Sequence, residues 1–236
     1  MIYAISDLHL SLGTNKPMHI FGSRWQDHAK KLESRWRALV KPEDTVVVPG
    51  DISWADSLAD AETDFRFIES LPGTKLIGKG NHDFWWTSAA KMQKALDSWG
   101  VKSVKFLHNN AYRVDDKVIC GSRGWFTEEK QQNTVEPVDY AKLVARECMR
   151  VELSLTEGAK LADDTTETIV FLHFPPVYGD FRCDPLTDVL LKHGIRRCYY
   201  GHIHGNYTYP AKVMHRGIEL CMISADFLDF YPVPVR

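Results

Sequence analysis

Five apolar runs, each giving way to polar residues, constrain this chain more than anything else in it. "MIYAIS" leads into Asp7 and His9, and "DTVVVPGD" into Asp51. "TKLIGKGNHD" leads into Asn81, His82 and Asp83, "ETIVFLHF" into His173, and "RRCYYGHIHG" into His202 and His204. Each run is apolar at consecutive positions rather than at alternate ones. That pattern marks strands buried on both faces, inside a sheet covered on two sides. A lone Asp or Asn after a strand is ordinarily a turn or a cap, and a lone His near a core is ordinarily structural. Five strand ends that all deliver carboxylate, imidazole or amide groups ask for more than turns. In layered α/β sheets ligands bind beyond the carboxyl ends of the strands, so these side chains are expected along one edge.

Helical patterns separate the runs. Trp25, Ala29, Leu32, Trp36 and Leu39 recur at helical spacing, and residues 58–68, 88–99, 138–161 and 184–192 read as further helices. Strands alternating with helices imply βαβ units. "YRVDDKVICG" predicts a hairpin around Asp115 and Asp116, and "GIELCMIS" a late strand. No repeat, low-complexity tract or linker breaks the chain, so residues 1–236 are expected to form one domain. With 236 residues, 44% of them apolar, the chain is long enough to bury a sizeable core. The expected class is α/β, a mixed sheet layered with helices on both faces.

A net charge of −2 and the lack of a basic block make long nucleic acid an unexpected partner. The five cysteines show no CxxC spacing, which suits reduced thiols and a cytoplasmic setting. No charged leader precedes an apolar segment, and no apolar run reaches the roughly 18 residues of a membrane span.

In "DLH" and "HIH" the two polar groups stand two apart. At strand pitch they would share a face, with the apolar residue between them turned away. Asp7 and His9 would then serve one ion, while His202 and His204 would both reach the site without having to share one. No cysteine belongs to the set. Oxygen and imidazole donors suit Mn²⁺, Fe, Zn²⁺ or Ni²⁺ better than a structural thiolate zinc site.

The ordered series "DLH", "GD", "GNHD", a His after a strand, and "GHIH" resembles the signature of calcineurin-like metallophosphoesterases, over residues 1 to about 205. The resemblance implies a four-layer αββα sandwich with mixed β-sheets, and two divalent or mixed-valence transition-metal ions bridged by one carboxylate. It implies that Asp7, His9, Asp51 and His204 hold the first ion. Asp51 would bridge to a second ion held by Asn81, His173 and His202. His82 would face the phosphate, and Asp83 would brace His82. The implied reaction is hydrolysis of a small phosphate ester by hydroxide held between the ions. Trp54 stands where the purple acid phosphatases carry a ligating tyrosine, so an iron–tyrosinate site is not expected. "SDLHL", "HFPPV" and "GHIHG" are similar to bacterial phosphodiesterase-type members, which favours diesters.

The alternatives are a phosphomonoesterase with the same site, a nuclease acting on ends, and a catalytically silent scaffold. The complete ligand set argues against the scaffold, and the modest charge against the nuclease. Trp54, Trp85, Trp86 and Trp125 follow strand ends and either wall a substrate pocket or pack helices onto the sheet. Arg123 and Arg182 lie in loops, where solvated arginines are common, and are candidates for phosphate contact. Residues 11–24 form a long irregular segment beside the first motif and are read as a lid. His19 and His28 are not expected to be ligands, and His108, His193 and His215 are read as structural or surface residues.

Overall fold

The structure is a computed structural model that describes residues 1–125 and 137–236. Two mixed sheets form its centre. The first comprises β1 (Ile2–Ala4), β2 (Thr45–Val48), β3 (Thr74–Ile77), β4 (Val104–Phe106) and β13 (Val233–Pro234), in the order β13-β1-β2-β3-β4. Strands β1 to β4 are parallel, and β13 closes the edge antiparallel to β1. The second comprises β5 (Ala111–Val114), β6 (Lys117–Ser122), β7 (Glu167–Leu172), β10 (Arg197–Tyr200), β11 (Lys212–His215) and β12 (Ile218–Met222). Its order is β11-β12-β10-β7-β6-β5, with a parallel centre and antiparallel edges. A small hairpin, β8 (Val177–Tyr178) and β9 (Phe181–Arg182), stands apart.

Alternate residues of each run explain why the runs are apolar throughout. Ile2, Ala4, Val47 and Leu76 from the first sheet meet Ile119, Ile169, Phe171, Tyr199 and Cys221 from the second. The residues between them face outward. Tyr3, Ile5, Val46, Val48 and Ile77 pack beneath α1 (His28–Leu39), α2 (Glu62–Ser70) and α3 (Ala89–Trp99) through Leu32, Trp36, Phe65, Ile68, Met92 and Leu96. Val118, Cys120, Val170, Leu172, Cys198 and Tyr200 pack beneath α4 (Pro137–Ala159) and α5 (Asp184–Lys192) through Val151, Leu155, Leu186 and Leu190. The layers are therefore helix, sheet, sheet, helix, as expected.

Local signals set several boundaries. The Ser88 hydroxyl accepts from the Lys91 amide, and Gly100 takes the left-handed conformation that ends α3. The hairpin turns at Asp115 and Asp116, with Asp115 at φ 54°. No helix among the described residues is long and apolar enough to cross a membrane.

The two sheets meet at the edge that carries the polar residues. Ser6, just past β1, bridges Ser224, just past β12. The Ser6 amide donates to the Ile223 carbonyl and the Ala225 amide to the Ser6 carbonyl, both at 2.8 Å. The carboxyl ends of both parallel sets thus open onto one rim.

Candidate metal centre

The polar residues after the strands converge on that rim in two groups. Asp7, His9 and His204 offer donor atoms all within 4.8 Å of one another, and so do Asp51, His173 and His202. Asn81 joins the second group, its Oδ1 lying 2.7 Å from His173 Nε2. Asp51 lies between the groups. Its Oδ2 is 3.6 Å from His9 Nε2 on one side and 3.5 Å from His173 Nε2 on the other. His202 and His204 fall in different groups although only Ile203 separates them.

The route to this convergence differs from strand pleating. Asp7, His9, Asp51 and His202 all have positive φ, between 44° and 70°. Non-glycine residues in this region carry strain of order 1–3 kcal/mol each and cluster at functional sites. The side chains of "DLH" and "HIH" are brought round by left-handed turns after the strands end, not by the two-residue repeat of a strand. The intervening apolar residues, Leu8 and Ile203, are buried.

Backbone amides orient both carboxylates. The His202 amide donates to both oxygens of Asp7 at 3.0 Å, and the His82 amide donates to Asp51 Oδ1 at 2.8 Å. Two glycines permit these approaches. A Cβ on Gly201 would stand 2.4 Å from Asp7 Oδ2, and one on Gly80 would stand 2.0 Å from Asp51 Oδ1. Gly80 is thus required for room, not for a left-handed backbone.

Asp83 is corrected by the structure. Its carboxylate does not brace the His82 ring. It is buried and accepts from the amides of Asp51, Ile52 and Ser53, at 2.9, 2.8 and 3.3 Å, and from the Gly80 amide at 2.7 Å. The Trp85 indole also donates to it, at 3.0 Å. Asp83 therefore fixes the loop that carries Asp51, because five N–H groups converge on it and the neighbouring imidazole points elsewhere.

Asp226 is absent from the set expected from sequence. Its Oδ1 is 2.7 Å from His204 Nδ1, and its Oδ2 accepts from the Gly205 amide and the Tyr207 hydroxyl. That bond to Asp226 fixes the His204 ring with Nε2 turned towards Asp7, 3.7 Å away. The sequence does hold a signal, since Asp226 follows "GIELCMIS" as the other polar residues follow their strands. His28 places Nε2 3.1 Å from the carbonyl of His9.

The electrostatics of these residues suit a cation. Burial pushes the Asp7 carboxyl up to about 6, and burial with the charges of Asp83 and Asp7 pushes Asp51 up as well. Burial and the neighbouring imidazoles hold His9 and His173 well below the ordinary range, and bring His202 down to about 3. Burial also disfavours charge on His204, but its bond to Asp226 and the charges of Asp7 and Asp226 outweigh that and raise it. The rim thus holds buried carboxylates beside three imidazoles, His9, His173 and His202, that burial holds in the neutral form. His9 Nδ1 and His173 Nδ1 are buried without a hydrogen-bond partner among the described residues. Divalent ions fit this donor set, since they satisfy carboxylates and neutral imidazoles together.

A cavity of about 440 Å³ opens over the first group, lined by His9, His82 and His204 together with Met18, Phe21, Trp25 and Trp54. Trp54 stacks on His9 with ring centres 5.1 Å apart and lies 4.2 Å from the His82 ring. Residues 11–24 supply one wall. Short helical turns at Met18–Phe21 and Ser23–Trp25 bury Met18 and Trp25, and Arg24 Nη1 donates to the Asp226 carbonyl at 2.8 Å. Trp85 is a core residue against Phe65, and Trp86 faces a different cavity. Arg182 donates to the carbonyls of Gly179 and Phe181 within its own hairpin.

No curated protein matches this sequence. Several solved structures share its fold. AQ665, a protein of unknown function from Aquifex aeolicus, is 17% identical with a TM-score of 0.53, over 99% of this chain and 94% of that one. The phosphopantetheinyl hydrolase PptH of Mycobacterium tuberculosis is 15% identical with a TM-score of 0.55, over 94% and 88%. The protein TT1561 of Thermus thermophilus is 12% identical with a TM-score of 0.56, over 96% and 89%. Identities this low speak to fold alone. The family model for calcineurin-like phosphoesterases matches residues 1–206, which hold both groups of donors apart from the Asp226 brace. This chain therefore belongs to the calcineurin-like phosphoesterase family and is a metal-dependent phosphoester hydrolase.

Proposed function

We propose that the protein hydrolyses phosphodiesters at a two-ion centre in which Asp51 is shared. The observation that carries this reading is the place of the Asp51 carboxylate, 3.6 Å from His9 Nε2 and 3.5 Å from His173 Nε2. Asp7, His9 and His204 would hold one ion with Asp51. Asn81, His173 and His202 would hold the other with it. Bound divalent ions supply charge to the phosphoryl oxygens and an attacking water acidified to near neutrality.

The remaining work falls to the chain. His82 faces the cavity beside the first group and serves as the acid for the leaving oxygen. Burial, with the charges of His204 and Lys16, holds its imidazole below the usual range. An anionic phosphoryl group beside it acts in the opposite direction and favours the imidazolium. Asp83 keeps the Asp51 loop in place, and Asp226 keeps His204 in the tautomer with Nε2 free. Met18, Phe21, Trp25 and Trp54 offer an apolar wall to an organic substituent and exclude water around the ester. A cavity of about 440 Å³ has room for an organic substituent beyond a bare phosphate.

Protein reconstituted with Mn²⁺ and assayed on bis(4-nitrophenyl) phosphate and 4-nitrophenyl phosphate tests this reading. The diester should be cleaved with kcat/KM at least comparable to that of the monoester. A strong monoester preference would make the enzyme a phosphomonoesterase with the same centre. Failure to cleave either, at full metal loading, would overturn the assigned roles.

A further inference from the structure

A second cavity, of about 400 Å³, lies beside the metal rim and is lined by Lys79, Trp86, Thr87, Ser88, His108, Arg123, Arg146 and Arg150. Its charge is one-sided. Arg123 Nη2, Arg146 Nε and Arg150 Nη1 lie 3.4, 3.9 and 2.6 Å from one oxygen, Oε1 of Glu147. Glu147 is buried and can balance only one of them. Lys79 adds a fourth cation, and no carboxylate among the described residues lies within ion-pair distance of it. Arg123 is itself mostly buried, and its Nε has no hydrogen-bond partner among the described residues. Thr87 and Ser88, just before α3, complete the lining. Like charges gathered around one carboxylate repel each other, and guanidinium groups are built to share the several oxygens of a phosphate.

The cavity adjoins the second donor group, across the rim from the apolar cavity. Lys79 is two residues from Asn81. The Arg123 carbonyl accepts from the Phe174 amide at 2.8 Å, next to His173. The Arg123 guanidinium lies 5.9 Å from the Phe174 ring, and that ring lies 4.5 Å from His202. A single aromatic ring therefore stands between the basic cavity and a candidate ligand.

We infer that this cavity binds a second phosphate group carried by the substrate, so that the preferred ester bears one phosphate at the metal rim and another held by Lys79, Arg123, Arg146 and Arg150. The inference rests on the hydrolytic role proposed for the rim. It makes the site two-sided, with apolar substituents on the His9 and Trp54 side and the extra phosphate on the Asn81 and His173 side.

Two measurements on the metal-loaded protein test it together. Tungstate, a phosphate mimic with strong anomalous scattering, should occupy the basic cavity in soaked crystals as well as the rim. Kinetics should compare the 5′-(4-nitrophenyl) diester of adenosine 3′,5′-bisphosphate with that of adenosine 5′-phosphate, and the wild type should favour the former through KM. Arg146 is about half exposed and only loosely paired, so Arg146→Gln is the primary variant. Lys79→Gln is the second, should the first disturb α4. Each should cut the preference for the bisphosphate about tenfold, the scale of one lost charge-assisted hydrogen bond, and remove tungstate from the cavity. An active enzyme with an empty cavity and an unchanged preference would overturn the inference alone. Tungstate binding without any change in preference would also overturn it, by making the cavity a site for a free anion. A protein inactive on every ester at full metal loading would instead sink the hydrolytic reading on which this one rests.

Discussion

The two donor groups sit on one rim but are held in different ways. Asp7, His9 and His204 are set from outside, through Asp226 on His204 and the His9 carbonyl beside His28. In the second group Asp51 is held through its loop by Asp83, whereas His173 has no such brace among the described residues. His173 Nδ1 is buried without a hydrogen-bond partner among them, and Nε2 meets only donor atoms of the rim itself. The difference teaches that His204 is oriented before any ion arrives, whereas His173, like His9, keeps a buried Nδ1 without a hydrogen-bond partner among the described residues. The first should therefore fill at lower metal concentration, and the second should gain more order on filling.

The largest effect should come from the residue common to both. Asp51→Asn should lower kcat/KM by roughly 10⁴-fold or more and reduce bound metal at both groups, because a neutral amide joins two cations poorly. Metal analysis after dialysis reads the second part, and loss from one group only would break the sharing. Next comes His82→Ala, which belongs to neither group. It should keep its metal and lose about 10²–10⁴-fold on alkyl esters, the range of general acid catalysis, with a clearly smaller loss on nitrophenyl esters. An equal drop on both leaving groups would make His82 an electrostatic clamp.

Smaller effects separate the groups. Asp226→Asn should weaken metal binding about 10–100-fold at the first group, as removal of a partner that orients a ligand does. His173→Ala should weaken the second group alone. Titration of each variant with Mn²⁺ would show whether the losses stay apart, and a common loss would erase the distinction between the two groups. Trp54→Ala should raise KM only for esters with an apolar substituent, by roughly tenfold for a buried ring face. A similar rise for a small alkyl phosphate would point to disturbance of His9, on which Trp54 stacks.

The central strands are legible in the sequence because their burial on two faces leaves an unbroken apolar run. Short edge strands carry no such mark. Val233–Pro234 pairs with β1 only because the edge needs no donor from Pro234, and nothing in "FYPVPVR" shows that partner. The candidate ligand set is legible for the same reason as the strands, since each polar residue follows a run. The backbone that aims it is not. Left-handed turns at Asp7, His9 and His202 replace the strand pleat that the spacing suggests. Asp83 misleads because its partners, the amides of residues 51–53, are distant in sequence while His82 is adjacent. The basic cavity is visible in sequence only as Arg123, because Lys79 and the arginines of α4 meet it through folding alone.

The sharing of Asp51 between two ions is the claim on which the rest depends. Anomalous scattering from crystals soaked in saturating Mn²⁺ tests it directly. The expected result is two peaks about 3.5–4 Å apart, one among Asp7, His9 and His204 and one among Asn81, His173 and His202, each in contact with Asp51. A single peak at saturation, with Asp51 bound to one ion only, would contradict it.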